Sequence, residues 1–154
     1  MHACNNLLST SHLLSAQVWE YDIPVPIKYI AEPGMHSVPS ITVSPDKTHF
    51  AGQSMDNTVV VYQCGEKVKQ LRKKLFKGHN NSGYACQVGF SPNMKFLISG
   101  DGQGKLNVWD WKTTKPFKKF QAHDGGPCMG AVWHPLQPSW IATCGWDGLI
   151  KLWD

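Results

Sequence analysis

Three hairpins in this chain end alike, and that recurrence restricts the fold more than any other feature. Ser54 to Tyr62, Asp101 to Trp109 and Gly145 to Trp153 each open with turn formers, continue as an alternating apolar strand and stop at an aromatic residue. Val61, Val108 and Leu152 precede the aromatic, with Val59, Leu106 and Ile150 two places further back. Apolar residues at that spacing share one face of a strand. A weaker copy ends at Val18-Trp19-Glu20, so that Trp19, Tyr62, Trp109 and Trp153 are 43, 47 and 44 residues apart. The longest interval contains the basic segment after Cys64, and its excess length is read as loop.

Other landmarks keep the same register. His36, His79 and His123 open the units. Ser44-Pro-Asp46, Ser91-Pro-Asn93 and His134-Pro135 split them, with apolar strands on either side. A period near 40–45 residues with such endings resembles the WD-repeat family, four strands to a propeller blade. The expected fold is all-β: about three complete blades, at 33–63, 77–110 and 121–154, plus one partial blade, in an open arc. Residues 18–154 make the propeller portion and residues 1–17 a poorly ordered segment. The chain stops directly after the third strand of its last blade, so an open sheet edge is expected there.

Composition supports a globular protein, with 42% hydrophobic and 17% charged residues. No run approaches the ~18 apolar residues of a membrane span, and Met1 to Gln17 lacks the basic and apolar regions of a signal peptide. A soluble, intracellular protein is expected. The five cysteines, Cys4, Cys64, Cys86, Cys128 and Cys144, are odd in number and contain no C-x-x-C. Reduced thiols are expected rather than a disulfide framework or a zinc ribbon.

Residues that suggest chemistry have simpler readings. Gly100-Asp-Gly-Gln-Gly-Lys105 looks like a phosphate loop, but Ser99 stands at the first glycine of that motif and Leu106 follows the lysine. A strand also follows where a helix is needed, so a hairpin turn is the better reading. No histidines sit at i, i+4, and nothing near Cys128 or Cys144 lowers a thiol pKa. No catalytic, cofactor or metal residue is expected, nor a small-molecule substrate. Ten of the fifteen Lys and Arg residues form two clusters, one from Lys67 to Lys77 (with Lys69, Arg72, Lys73 and Lys74), the other from Lys112 to Lys119 (with Lys118). Both follow a closing aromatic, where a blade's outermost strand belongs. Lysine there protects an exposed edge; it also builds a basic rim able to meet RNA phosphates non-specifically, or acidic partners.

Membership of the WD-repeat family implies a polar set in each unit: opening His, a Ser or Thr, a turn Asp and a closing Trp, bonded together. The third unit is complete, with His123, Thr143, Asp147 and Trp153. The first offers His36, Asp56 and Tyr62. The second offers His79, Ser99 and Trp109, but has Gln103 where Asp belongs and Asp101 two residues early, so its set is expected to be altered, neutral and weaker. Trp146, and Met55 at the matching place, are expected on the face where partners dock. Asp22–Pro33, Gly83–Val88, Ser99–Thr114, Gly130–Pro135 and Thr143–Asp154 further resemble the C-terminal blades of spliceosomal WD-repeat splicing factors. That resemblance implies a nuclear, non-catalytic scaffold that binds spliceosomal proteins around the second catalytic step of splicing. Met1 to Gln17 departs from it, with Leu13 where a turn Asp belongs. The alternative is a WD adaptor of another complex, such as a ubiquitin-ligase substrate receptor.

Overall fold

A computed structural model describes residues 16–19, 22–65 and 68–154, in which every regular element is a β-strand. β1 (Ala16–Trp19) and β2 (Pro26–Ile30) form a two-stranded sheet. β3 (Ser40–Val43), β4 (His49–Ser54), β5 (Thr58–Gln63) and β6 (Lys69–Phe76) form a four-stranded blade, as do β7 (Val88–Phe90), β8 (Phe96–Gly100), β9 (Lys105–Asp110) and β10 (Pro116–Gln121). β11 (Cys128–Trp133), β12 (Ile141–Gly145) and β13 (Ile150–Trp153) make a three-stranded sheet. All pairings are antiparallel between consecutive strands.

The turn residues explain the hairpins. Ser44 Oγ accepts the His49 amide at 3.0 Å, and Ser91 Oγ accepts the Phe96 amide at 2.8 Å, closing the first hairpin of each four-stranded blade. The next hairpin turns at Asn57, Gly104 or Gly148, each with positive φ, five residues before its aromatic. Asn and Gly tolerate that conformation.

The sheets stack face to face, with the short innermost strand β7 packed between β3 and β11. Three apolar layers lie between them. Val18 and Ile30 meet Phe50 and Tyr62; Ala51, Val59 and Val61 meet Val88, Phe90, Leu97 and Trp109; Ile98, Leu106 and Val108 meet Ala131, Trp133 and Ile141. This is an open arc of propeller blades, in which each sheet buries its apolar face only against a neighbour. On the three-stranded sheet, Ile150 and Leu152 match the buried pairs Val59/Val61 and Leu106/Val108, yet are 83% and 63% exposed.

Three expectations are corrected or moved. The poorly ordered segment 1–17 falls mostly outside the described residues, but Ala16 and Gln17 pair with Ile30 and Tyr29 in β1–β2. Lys67 of the first basic cluster and Glu20 of the weak fourth copy also lie outside them. Reduced thiols are present at Cys86, Cys128 and Cys144, whereas Cys64, half-buried just past β5, is disulfide-bonded.

Candidate functional site

In the third unit the implied polar set closes on itself. His123, wholly buried in the loop before β11, directs Nδ1–H to the Asp147 carboxylate, 2.8 and 2.9 Å from its two oxygens. That bond leaves Nε2 as an acceptor for the Thr143 hydroxyl at 2.9 Å, and Thr143 Oγ1 accepts the Trp153 indole N–H at 2.8 Å. Burial opposes ionisation of Asp147, but the bonds from His123 and the Leu149 amide, with the charge of Lys151, hold its carboxyl below the usual range. Gly145 makes room for the imidazole: a Cβ there would lie 2.5 Å from His123 Cγ.

The order Thr143–His123–Asp147 is that of a hydroxyl nucleophile, its base and the base's orienting carboxylate. Here Thr143 is 2% exposed and its hydroxyl already holds an indole, so no reacting atom can approach it. The buried thiols are equally unsuited to attack, since burial pushes both Cys86 and Cys128 up to about 12.

The second unit is arranged differently. His79 Nε2 lies 2.7 Å from the Gln53 amide of the preceding blade, and Ser99 Oγ bonds the other end of that amide at 3.0 Å. Either orientation of the amide bonds one imidazole nitrogen and leaves buried Nδ1 without a partner. The Trp109 indole turns to the Lys77 carbonyl at 2.9 Å. Burial pushes His79 down to about 4, so the imidazole is neutral. The set around His79 is thus altered and uncharged, and Asp101 has separate partners of its own. Buried Asp101 accepts the Gln103 and Lys105 amides and the Asn107 side chain, and Lys119 stands 3.4 Å away. Its amide bonds the Lys105 carbonyl as the Gly145 amide bonds Leu149, so Asp101 occupies the place of Gly145. Gln53 was not singled out from the sequence, where a glutamine between Gly52 and Ser54 carries no marker.

The first unit does not bond its three expected members together. His36 is exposed; Asp56 takes the Thr58 hydroxyl at 2.6 Å, and Tyr62 stacks on Phe50 with centroids 4.8 Å apart. The reason lies in β4, where Gly52 stands at the place of Ser99 and Thr143 and supplies no hydroxyl. The three residues do line one cavity of about 450 Å3 with Glu32, Ser54 and Arg72.

Of the expected partner surface, Trp146 is 63% exposed and stands edge-on to Tyr84 of the preceding unit, centroids 5.0 Å apart. Met55 is half-buried. The basic strands lie at the blade rims as expected, but several cationic heads are tied inward. Lys74 donates to the Trp111 carbonyl at 2.6 Å and sits 4.1 Å from its ring centre; Lys119 donates to Gly78; Arg72 pairs with Glu32 at 2.7 Å; Lys118 lies over Phe120. Sequence cannot show such cross-blade carbonyls. Lys69 and Lys73 extend outward, exposed.

Comparison with known proteins agrees with this architecture. Residues 28–63, 69–110 and 114–154 match the family described as WD domain, G-beta repeat. Pre-mRNA-processing factor 17 of Homo sapiens is 58% identical over 147 residues, 96% of this chain and 25% of its own length. Its Saccharomyces cerevisiae counterpart is 33% identical over 97% of the chain and 33% of its own length. WD repeat-containing protein 25 of Mus musculus is 28% identical over 77% of the chain and 22% of its own. The chain thus spans between a fifth and a third of the length of these relatives.

Proposed function

We infer function from one premise: the chain belongs to the WD domain, G-beta repeat family. On that premise it is a non-catalytic scaffold of the spliceosome, nuclear, holding spliceosomal proteins together around the second catalytic step of pre-mRNA splicing. The observation that carries this reading is the 58% identity to pre-mRNA-processing factor 17 across 96% of the chain. The polar sets support the absence of catalysis, because they hold strands together and expose no nucleophile. For the docking point, Trp146 and Tyr84 offer a large aromatic pair across two adjacent units, the kind of anchor on which binding energy concentrates. Met55 stands at the corresponding place in the first unit.

Affinity purification from nuclear extract with the tagged full chain tests this. Spliceosomal proteins and small nuclear RNAs should be recovered, and Trp146→Ala should reduce their recovery on the order of tenfold. Recovery of ubiquitin-ligase subunits without spliceosomal components would instead make the chain an adaptor of that other kind.

A further inference from the structure

The outermost strands of the two-stranded sheet and the first blade, β2 and β6, bound a groove of about 750 Å3. Among the described residues, five cations line it, Lys28, Lys69, Arg72, Lys73 and Lys74, against one carboxylate, Glu32. That local excess equals the formal net charge of the entire chain, +4. We infer that this groove binds single-stranded RNA, with phosphates against Lys69 and Lys73 and a base on the face of Tyr29.

Three observations converge on this. First, the charge is available. Lys28 is anchored through the Val68 carbonyl, which leaves its charge uncancelled, and Arg72 keeps 77% of its side chain exposed despite its bond to Glu32. Cations gathered in a concave wall focus their field on an approaching polyanion. Second, Tyr29 lines the groove and is 61% exposed. An aromatic face beside a basic track is what sequence-tolerant single-strand sites use. Third, β6 is unsuited to the competing occupant, an acidic peptide added as an extra strand. Its register slips between Val60 and Tyr62, so that Val61 faces the four residues Leu71 to Lys74. Such a bulge, and the lysines beside it, disfavour strand addition, whereas a phosphate chain needs no ladder. The choice of RNA over DNA rests on the splicing role proposed above; the site itself does not.

Fluorescence anisotropy with the full chain and a labelled ten-nucleotide uridine oligomer tests it. The chain should bind, losing affinity on the order of tenfold as salt rises fourfold from about 50 mM. The double variant Lys69→Glu/Lys73→Glu should weaken binding on the order of tenfold or more. Tyr29→Ala should weaken the oligomer about fivefold while leaving inorganic polyphosphate unchanged, because only the oligomer has bases to stack. Lys95→Glu, exposed on the second blade, should stay within about twofold, with circular dichroism confirming that each variant folds. Unchanged affinity in the double variant would overturn the site, and a polyglutamate peptide competing as well per charge as RNA would overturn the choice of occupant. Nuclear-extract purification and this assay can fail independently, which separates the groove from the splicing role.

Discussion

His123 and His79 stand at matching places in adjacent units, yet one set closes within its own blade and the other reaches across to its neighbour. The difference traces to a two-residue displacement of a carboxylate. In the third unit Gly145 leaves space for the imidazole, and Asp147 receives its proton. In the second, Asp101 fills the glycine's place and takes its own partners, and His79 turns to Gln53. A repeat can therefore keep its strands and change what its polar residues fasten: one arrangement stiffens a single blade, the other fastens two blades together.

Putting an aspartate into the closed set is the severest challenge to that contrast. Gly145→Asp should destabilise by about 4 kcal/mol in urea denaturation, since the new side chain strikes a buried imidazole and displaces its partner. If the cost were small, the glycine would not be what separates the two arrangements.

Acid should act next most strongly, and through the other unit. His79 titrates at about 4 in the folded chain against its usual 6.5. Because the unfolded chain takes up the proton first, stability falls as pH drops below about 6.5 and the loss is complete below about 4, some ~3 kcal/mol in all. His79→Gln should flatten this limb, as followed by denaturation at a series of pH values. Asp147, held low, contributes stability that is lost only as pH falls further, below the usual carboxylate range.

Removing the hydroxyls should rank the two sets. Thr143→Val leaves the Trp153 indole N–H and the His123 Nε2 without a partner, an expected cost of about 2 kcal/mol. Ser99→Ala removes one bond to an amide that keeps its other contact, about 1 kcal/mol. Trp146→Ala should change stability least, within about 0.5 kcal/mol, while weakening partner recovery. A large stability cost there would mean that the Trp146–Tyr84 contact holds blades rather than a partner.

Much of this was legible in the sequence. Aromatic endings and two-residue alternation located β5, β9 and β13, and the Ser-Pro turns located the strands before them, because both signals are local. The members of the third set were legible for the same reason. What escaped depended on distant backbone. Asp101 looked misplaced until its hairpin bonds showed it to be the counterpart of Gly145. Gln53 became meaningful only when the next blade's histidine was seen against it. The rim lysines read as edge protection or a basic rim, and only the stacked blades showed which carbonyls hold Lys74 and Lys119. His36, Asp56 and Tyr62 do not join as a set, because Gly52 stands where Ser99 and Thr143 supply a hydroxyl in the other units.

The second unit's polar set joins two blades, while the third unit's closes within one. A double-mutant cycle between Gln53→Leu and His79→Leu measures that directly. The expected coupling is about 1–2 kcal/mol, with a Gln53→Leu and His123→Leu cycle additive to within about 0.3 kcal/mol. Additivity in the first cycle, or comparable coupling in the second, would contradict it.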